Sequence, residues 1–255
     1  MKKRIYLFAA AAMSFAACNK AVIDSPVEYG YLDFKVSSDD VVVETRAVVT
    51  QEDMNAYNIY CDNTLLGSYS AIKDQVFTKA TGTYSVYAEN ITALEAETGF
   101  GALRVASPVS SVTVEANKTA TAKLACVAQS SKLTVSFDPS FTSVFSDYSF
   151  EVKKTDNTAR ADDEVSLTIT ENNNKPVYYN GGVNLTYSIK GTHTTQGALT
   201  FGGNVTIEKG HSLAITVKQS TQSGGLKIEI TADDSLISDT DKNVTVDPYN
   251  PGTNL

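Results

Sequence analysis

Ala120-Thr-Ala-Lys-Leu-Ala-Cys126 and Ser131-Lys-Leu-Thr-Val-Ser-Phe137 decide the fold of this chain. In each, small or apolar residues alternate with polar ones. That period of two places one set of side chains on a buried face and the other in water, the signature of a half-buried strand. Between them lies Ala128-Gln-Ser-Ser131, small and polar, with no alternation of its own. It therefore reads as the boundary between two β units.

The same alternation recurs on both sides of that boundary. Upstream it marks Tyr31 to Val36, Tyr57 to Cys61, Tyr84 to Ala88 and Val109 to Val114. Downstream it marks Tyr148 to Val152, Val165 to Thr170, Val183 to Ile189, Gly203 to Ile207, Leu213 to Lys218, Leu226 to Ile230 and Asn243 to Val246. Turn residues separate the runs: Asp39-Asp40, Glu115 to Lys118, Gly181-Gly182, Gly202-Gly203, Lys209-Gly210 and Gly224-Gly225. Roughly a dozen short strands with this punctuation predict an all-β fold. The expected architecture is two antiparallel β-sandwich (immunoglobulin/transthyretin-like) domains in tandem, residues 30–128 and 129–248, with a tail at 249–255. One larger sandwich is the alternative. Helix is confined to two connectors. Thr92 to Glu95 forms a capping box, and Asp138-Pro139 caps a turn through Phe145.

The first 17 residues differ in kind. Lys2, Lys3 and Arg4 precede an apolar run from Ile5 to Phe15, too short to span a bilayer. Ala16, Ala17 and Cys18 follow. Small residues before a cysteine suit a lipoprotein signal peptidase, and the cysteine sulfur accepts diacylglycerol. Residues 1–17 are therefore expected to be a signal peptide, Cys18 the lipidated residue and 18–29 a tether. Two or three acyl chains on Cys18, palmitate among them, anchor a protein to the outer membrane, whereas one binds marginally. The lipid is the expected membrane partner, on the cell surface or the periplasmic face.

The chain carries a net charge of −8, and loss of Lys2, Lys3 and Arg4 with the signal takes it to −11. An acidic surface repels phosphate, so nucleic acid is not expected as a partner. Two cysteines remain. In an exported compartment Cys61 and Cys126 either pair as a disulfide or stay as small buried apolar side chains.

Catalytic signatures are scarce. His193 and His211 share no metal-binding spacing and read as exposed turn residues. Gly99-Phe-Gly101 begins a dinucleotide fingerprint but lacks its third glycine, and reads as a loop. Asp239-Thr-Asp241-Lys-Asn243 opens like a calcium loop, yet Val244 stands where glycine is needed. Asp162-Asp163-Glu164 reads as a solvated charge run. No enzyme activity, cofactor or metal is expected. The chain has no tryptophan, which weakens a sugar-binding reading. Of Tyr178 and Tyr179, adjacent on one strand, at most one faces solvent.

Taken in order, several of these stretches resemble a family. Gly30-Tyr-Leu-Asp-Phe-Lys-Val36, Val43-Glu-Thr-Arg-Ala47, Thr81-Gly-Thr-Tyr-Ser-Val-Tyr-Ala88, the pair quoted first, Asp138 to Tyr148, Gly225 to Asp234 and Val246-Asp-Pro248 resemble the Bacteroides-group lipoproteins of domain of unknown function 4493. Residues 92–108 depart from that pattern as a longer loop. The resemblance implies a tethered two-domain β protein of the cell envelope and no particular activity. More distantly, the lipidation site, the early strand and Thr45-Arg46-Ala47 are similar to fimbrillin-type pilus subunits. That likeness implies proteolytic processing between Arg46 and Ala47, which would release the first strand. Asp234-Ser235-Leu236 resembles the O-glycosylation acceptor of this bacterial group, with Ser235 the acceptor.

The expected function is a non-enzymatic envelope lipoprotein serving adhesion, assembly or structure, with other envelope proteins as partners. The alternative is a glycan-binding surface lipoprotein. A hydrolase with an unconventional acidic site is the third reading.

Overall fold

The computed structural model describes residues 26–38, 42–43, 47–48, 54–220, 227–234 and 242–245. Among them are nineteen strands and only three short helices, so the chain is all-β. The first unit contains β1 (Tyr29–Ser38), β2 (Val42–Val43), β3 (Ala47–Val48), β4 (Asn58–Cys61), β5 (Thr64–Ser68), α1 (Tyr69–Ile72), β6 (Phe77–Ala80), β7 (Gly82–Glu89), α2 (Ala93–Glu97), β8 (Val105–Ala106), β9 (Ser110–Val114) and β10 (Thr119–Ala128). The second contains β11 (Ser130–Phe137), α3 (Pro139–Thr142), β12 (Phe145–Lys154), β13 (Ser166–Ile169), β14 (Val177–Asn180), β15 (Val183–His193), β16 (Gly197–Ile207), β17 (Ser212–Ser220), β18 (Lys227–Asp234) and β19 (Lys242–Thr245).

Alternation explains the strands directly. On β1, Leu32, Phe34 and Val36 are buried while Tyr31, Lys35 and Ser37 are exposed. On β10 the buried set is Ala122, Leu124 and Cys126. Both connectors take their expected form. Thr92 makes a capping box with Glu95, and the Asp138 side chain accepts from the Ser140 N–H ahead of Pro139.

The two halves repeat one pairing plan. β1 lies between β10, parallel, and β6, antiparallel. β11 lies likewise between β17, parallel, and β14, antiparallel. A second antiparallel array runs β5-β4-β7-β9 in the first half and β13-β12-β15-β16 in the second. Seven strands therefore pair in the same way and the same chain order in each half. In the first half β8 touches both β7 and β10 and joins the arrays into one eight-stranded sheet. In the second the arrays stay separate, and β18 and β19 widen one of them to five strands.

The two parallel pairs correct the expectation of wholly antiparallel sheets. Parallel neighbours need a long crossover, and residues 39–118 and 138–211 supply it. Local periodicity cannot tell which distant strand a given strand will meet. Sequence reading also missed β2, β3, β5, β6 and β8, each of five residues or fewer. Thr64-Leu-Leu-Gly-Ser68 shifts register against β4, where Ile59 faces Gly67 and Tyr60 faces Leu65, and the extra Leu66 breaks the alternation.

Each half encloses its own hydrophobic cluster. The first gathers Leu32, Phe34, Ile59, Val86, Leu124 and Cys126 among others. The second is more aromatic, with Phe141, Phe145, Phe150, Tyr179 and Tyr187. Ser130 and Ser131, read above as boundary residues, are 2% and 0% exposed and belong to β11. Only Gln129 separates β10 from β11.

The junction between the halves as candidate functional site

Two connections depart from the shared plan, one in each half. Strands β4 and β5 are joined by Asp62 and Asn63 alone, both left-handed (φ 48° and 60°), a tight hairpin turn that Asp and Asn tolerate. Their counterparts β12 and β13 are joined by residues 155–165. Conversely, β15 and β16 are joined by the three residues 194–196, whereas β7 and β9 are separated by residues 90–109. The two enlarged connections meet.

Residues 90–109 form an arm. Its capping box starts α2: the Glu95 N–H donates to Thr92 Oγ1 at 3.2 Å, and the Thr92 N–H donates to Glu95 Oε2 at 2.8 Å. The Thr92 backbone and hydroxyl donors hold the Glu95 carboxyl below its ordinary range. After α2 the chain reverses through Gly99 and Gly101, at φ 60° and 72°. Gly101 is also a close approach, since a Cβ there would lie 2.2 Å from the Ala96 carbonyl oxygen. Only glycine meets both demands.

The arm then grips the second half. Arg160 Nη2 donates to the Glu97 and Gly99 carbonyl oxygens, each at 2.8 Å. The Gly99 N–H donates to Asp162 Oδ2. Glu97 accepts from the Asn180 N–H at 3.1 Å and from Lys154 Nζ at 3.3 Å. Phe100 packs against the second cluster, and its carbonyl accepts from the Tyr178 N–H at 2.8 Å. The returning chain is fixed by Arg104, whose guanidinium binds Glu89 Oε2 at 2.7 and 3.0 Å and Asn180 Oδ1 at 3.2 Å. The Arg104 N–H donates to Ser130 Oγ at 2.9 Å.

Arg160 is 4% exposed. Its Nε and Nη1 find no hydrogen-bond acceptor, but its guanidinium lies 4.6 Å from the centroid of the Tyr179 ring. A ring face is the electron-rich partner a desolvated cation can use. Burial pushes the Tyr179 hydroxyl up, against the pull of Arg160, so the ring is neutral. Burial also works to raise Asp162, but the N–H groups of Gly99 and Glu164 outweigh it and its carboxyl is held low.

Chemically, the junction holds two buried carboxylates, Glu89 and Glu97, each matched to its own cation. Such matching positions chain segments. Among the described residues no three His, Cys, Asp or Glu side chains converge on a metal-sized site.

The residues singled out in sequence fall as follows. Cys18, Arg46, Ser235, Asp239 and Asp241 lie outside the described residues. Ala47 starts β3 and pairs with Val43. Cys61 and Cys126 are unbonded and buried in the same cluster. Asp162 is more than a solvated charge, because it holds Gly99. His193 corrects the exposed-turn reading. It is 8% exposed, its ring centroid lies 5.0 Å from that of Phe145, and Nδ1 accepts from the Thr195 N–H. The hairpin end folds over the aromatic core. His211 Nε2 is 3.8 Å from Glu208 Oε2. Tyr179 is buried and Tyr178 half-buried, as alternation requires. The residues that sequence reading missed are Glu89, Glu97, Arg104 and Arg160. The available signal was the capping box followed closely by Gly99-Phe-Gly101, which marks a shaped loop.

No helix among the described residues is long and apolar enough to cross a membrane. No curated protein matches the chain. Solved structures similar to it include the fimbrial anchor protein Mfa2 from Porphyromonas gingivalis (13% identity, 80% of this chain and 96% of that one, TM-score 0.42). Another is a protein described as an adhesin from Bacteroides ovatus (11% identity, 90% and 98%, TM-score 0.44). A third is one described as a cell adhesion protein from Bacteroides eggerthii (12% identity, 82% and 96%, TM-score 0.41). Residues 28–248 match the model of the family described as domain of unknown function DUF4493, and the chain belongs to that family.

Proposed function

We propose that the protein is a non-enzymatic lipoprotein of the cell envelope, anchored through Cys18, whose two β-sandwich domains serve adhesion, assembly or structure. The observation that carries this reading is how the tether enters the fold. Pro26 and Val27 lead within three residues into β1, which is an interior strand. It is held by eight positions of β10 on one side and four of β6 on the other. Tension from a lipid on Cys18 therefore falls on a strand hydrogen-bonded along both edges. An edge strand would peel one bond at a time. The same placement bears on processing at Arg46. A cut there leaves β1 paired on both sides, so release of the strand requires opening the first core.

Fractionation of cells expressing Cys18→Ser tests the anchor. The variant is expected in the soluble fraction, and retention in the membrane fraction would contradict the reading. Protease shaving of intact cells then assigns the membrane face. Mass spectrometry of native protein is expected to find lipidated Cys18 and no peptide beginning at Ala47.

A glycan-binding role is the second reading. It rests on Tyr60 and Tyr87, cross-strand partners stacked at 4.6 Å and 9° on half-buried positions, with exposed Leu65 opposite Tyr60. Specific signals on a glycan array that vanish in Tyr60→Ala would favour it over adhesion through protein contacts.

A further inference from the structure

We infer that two copies of the chain join edge to edge through β16, making one continuous eight-stranded sheet about a two-fold axis at Gly202. Strand β16 ends its sheet, and among the described residues nothing pairs with its outer edge. It runs 11 residues and follows β15 without a register shift, whereas the edge strands β5, β6, β9, β13, β14 and β19 have five residues or fewer. Open edges are normally blunted by shortness, charge, proline or bulges. Gly197-Ala-Leu-Thr-Phe-Gly-Gly-Asn-Val-Thr-Ile207 has none of these, in a chain of net charge −8. β14, by contrast, is met by Phe100 of the arm.

The strand is complementary to itself. Antiparallel pairing centred on Gly202 sets Phe201 opposite Gly203 of the second copy and Leu199 opposite Val205. On the other face it sets Thr200 opposite Asn204 and Ala198 opposite Thr206. Each pair lies on one face of the sheet, because its members differ by an even number of positions. The Tyr187 ring already lies over Gly203, so Phe201 of the second copy would pack beside that ring, and Leu199 would meet a β-branched partner, both favourable cross-strand pairs. Leu199, Phe201 and Val205 are only partly buried against the second cluster, so the new strand would finish covering them. The uncharged strand brings no like-charge repulsion to self-pairing, which is why a second copy is the occupant that fits. The interface is isologous and closes at two copies.

Sedimentation of the full chain in density-matched detergent tests this. Wild type is expected to be a dimer. Thr200→Lys with Asn204→Lys brings four ammonium groups together on exposed positions and is expected to give a monomer with the wild-type circular-dichroism spectrum. Thr200→Lys with Asn204→Glu places opposite charges across the axis and is expected to restore the dimer. The register is tested by oxidation. A mixture of Thr200→Cys and Asn204→Cys chains is expected to form an intermolecular disulfide. Neither chain alone should do so, because like positions lie roughly 13 Å apart along the strand. A monomeric wild type, a dimer that survives the double lysine variant, or equal disulfide formation by either chain alone would each overturn the inference.

Discussion

The halves built on β1 and β11 share seven strands in one pairing order, yet they fill that frame with different side chains and different connections. The first core has small residues at its centre, Ala88, Ala122 and Cys126 among them. The second stacks Phe141 on Phe145 at 4.3 Å and Phe150 on Tyr187 at 5.2 Å. The strand order therefore depends on alternation and on which strands lie centrally, since neither set of core residues is needed by the other half. The connections differ in a complementary sense. Each half keeps one tight hairpin where its counterpart has a long excursion, and the two excursions, 90–109 and 155–165, bind each other. The shared frame builds the halves, and the departures from it couple them.

The largest test of that contrast removes an aromatic from the second core. Phe150 is 0% exposed, and Phe150→Ala is expected to cost about 4 kcal/mol. Ile59, also 0% exposed, lies on β4, the counterpart of β12 in the shared plan, and the matching truncation Ile59→Ala is expected to cost about 3 kcal/mol. Urea unfolding of both variants measures the difference. Equal losses would mean that the two cores do not differ as their composition implies.

Next in size is Gly101→Ala on the arm. Left-handed backbone and the nearby Ala96 carbonyl together make a cost of about 3 kcal/mol the expectation. Gly197 starts β16 just after the tight turn of the other half and also has positive φ, but open space surrounds it. Gly197→Ala should therefore cost about 1 kcal/mol, the backbone share alone. If the two substitutions cost the same, the arm is not held where the structure places it.

The smallest effect belongs to the exposed pair Lys190–Glu151 on β15 and β12, 2.7 Å apart. Lys190→Ala is expected to change stability by at most about 0.5 kcal/mol, less at high salt. A loss comparable to that of a junction variant would place the electrostatic coupling outside the junction.

Much of this architecture is legible in sequence. Tyr31 to Val36, Ala120 to Cys126 and Lys132 to Phe137 show their buried faces by alternation alone, and Thr92 and Asp138 announce their helices through capping chemistry. The junction is not legible. Arg160 meets Glu97 across 63 positions, and neither residue stands in a local pattern that names its partner. Asp162-Asp163-Glu164 looks solvated because charge runs usually are, and the Gly99 N–H that occupies Asp162 belongs to the other half. His193 is polar and lies at a hairpin end, so only the Phe145 ring beneath it explains its burial. The parallel pairings of β1 and β11 are hidden for the same reason, since their partners lie beyond crossovers of many residues.

Held together by the arm and Arg160, the two cores are expected to unfold as one. Cysteine reports on the first half alone, because Cys61 and Cys126 precede β11 and residues 129–255 contain none. Burial pushes the Cys126 thiol up to about 12. It is therefore protonated and unreactive at pH 8 while that core stays closed. The decisive measurement is urea unfolding of the full chain at pH 8, with Cys126 alkylation reading the first half and amide hydrogen exchange across Leu185 to Ile189 reading the second. In wild type the two midpoints are expected to coincide. In Arg160→Met they are expected to separate, because the Glu97 and Gly99 carbonyls lose their donor. Separate midpoints in wild type, or coincident midpoints in Arg160→Met, would contradict the coupling.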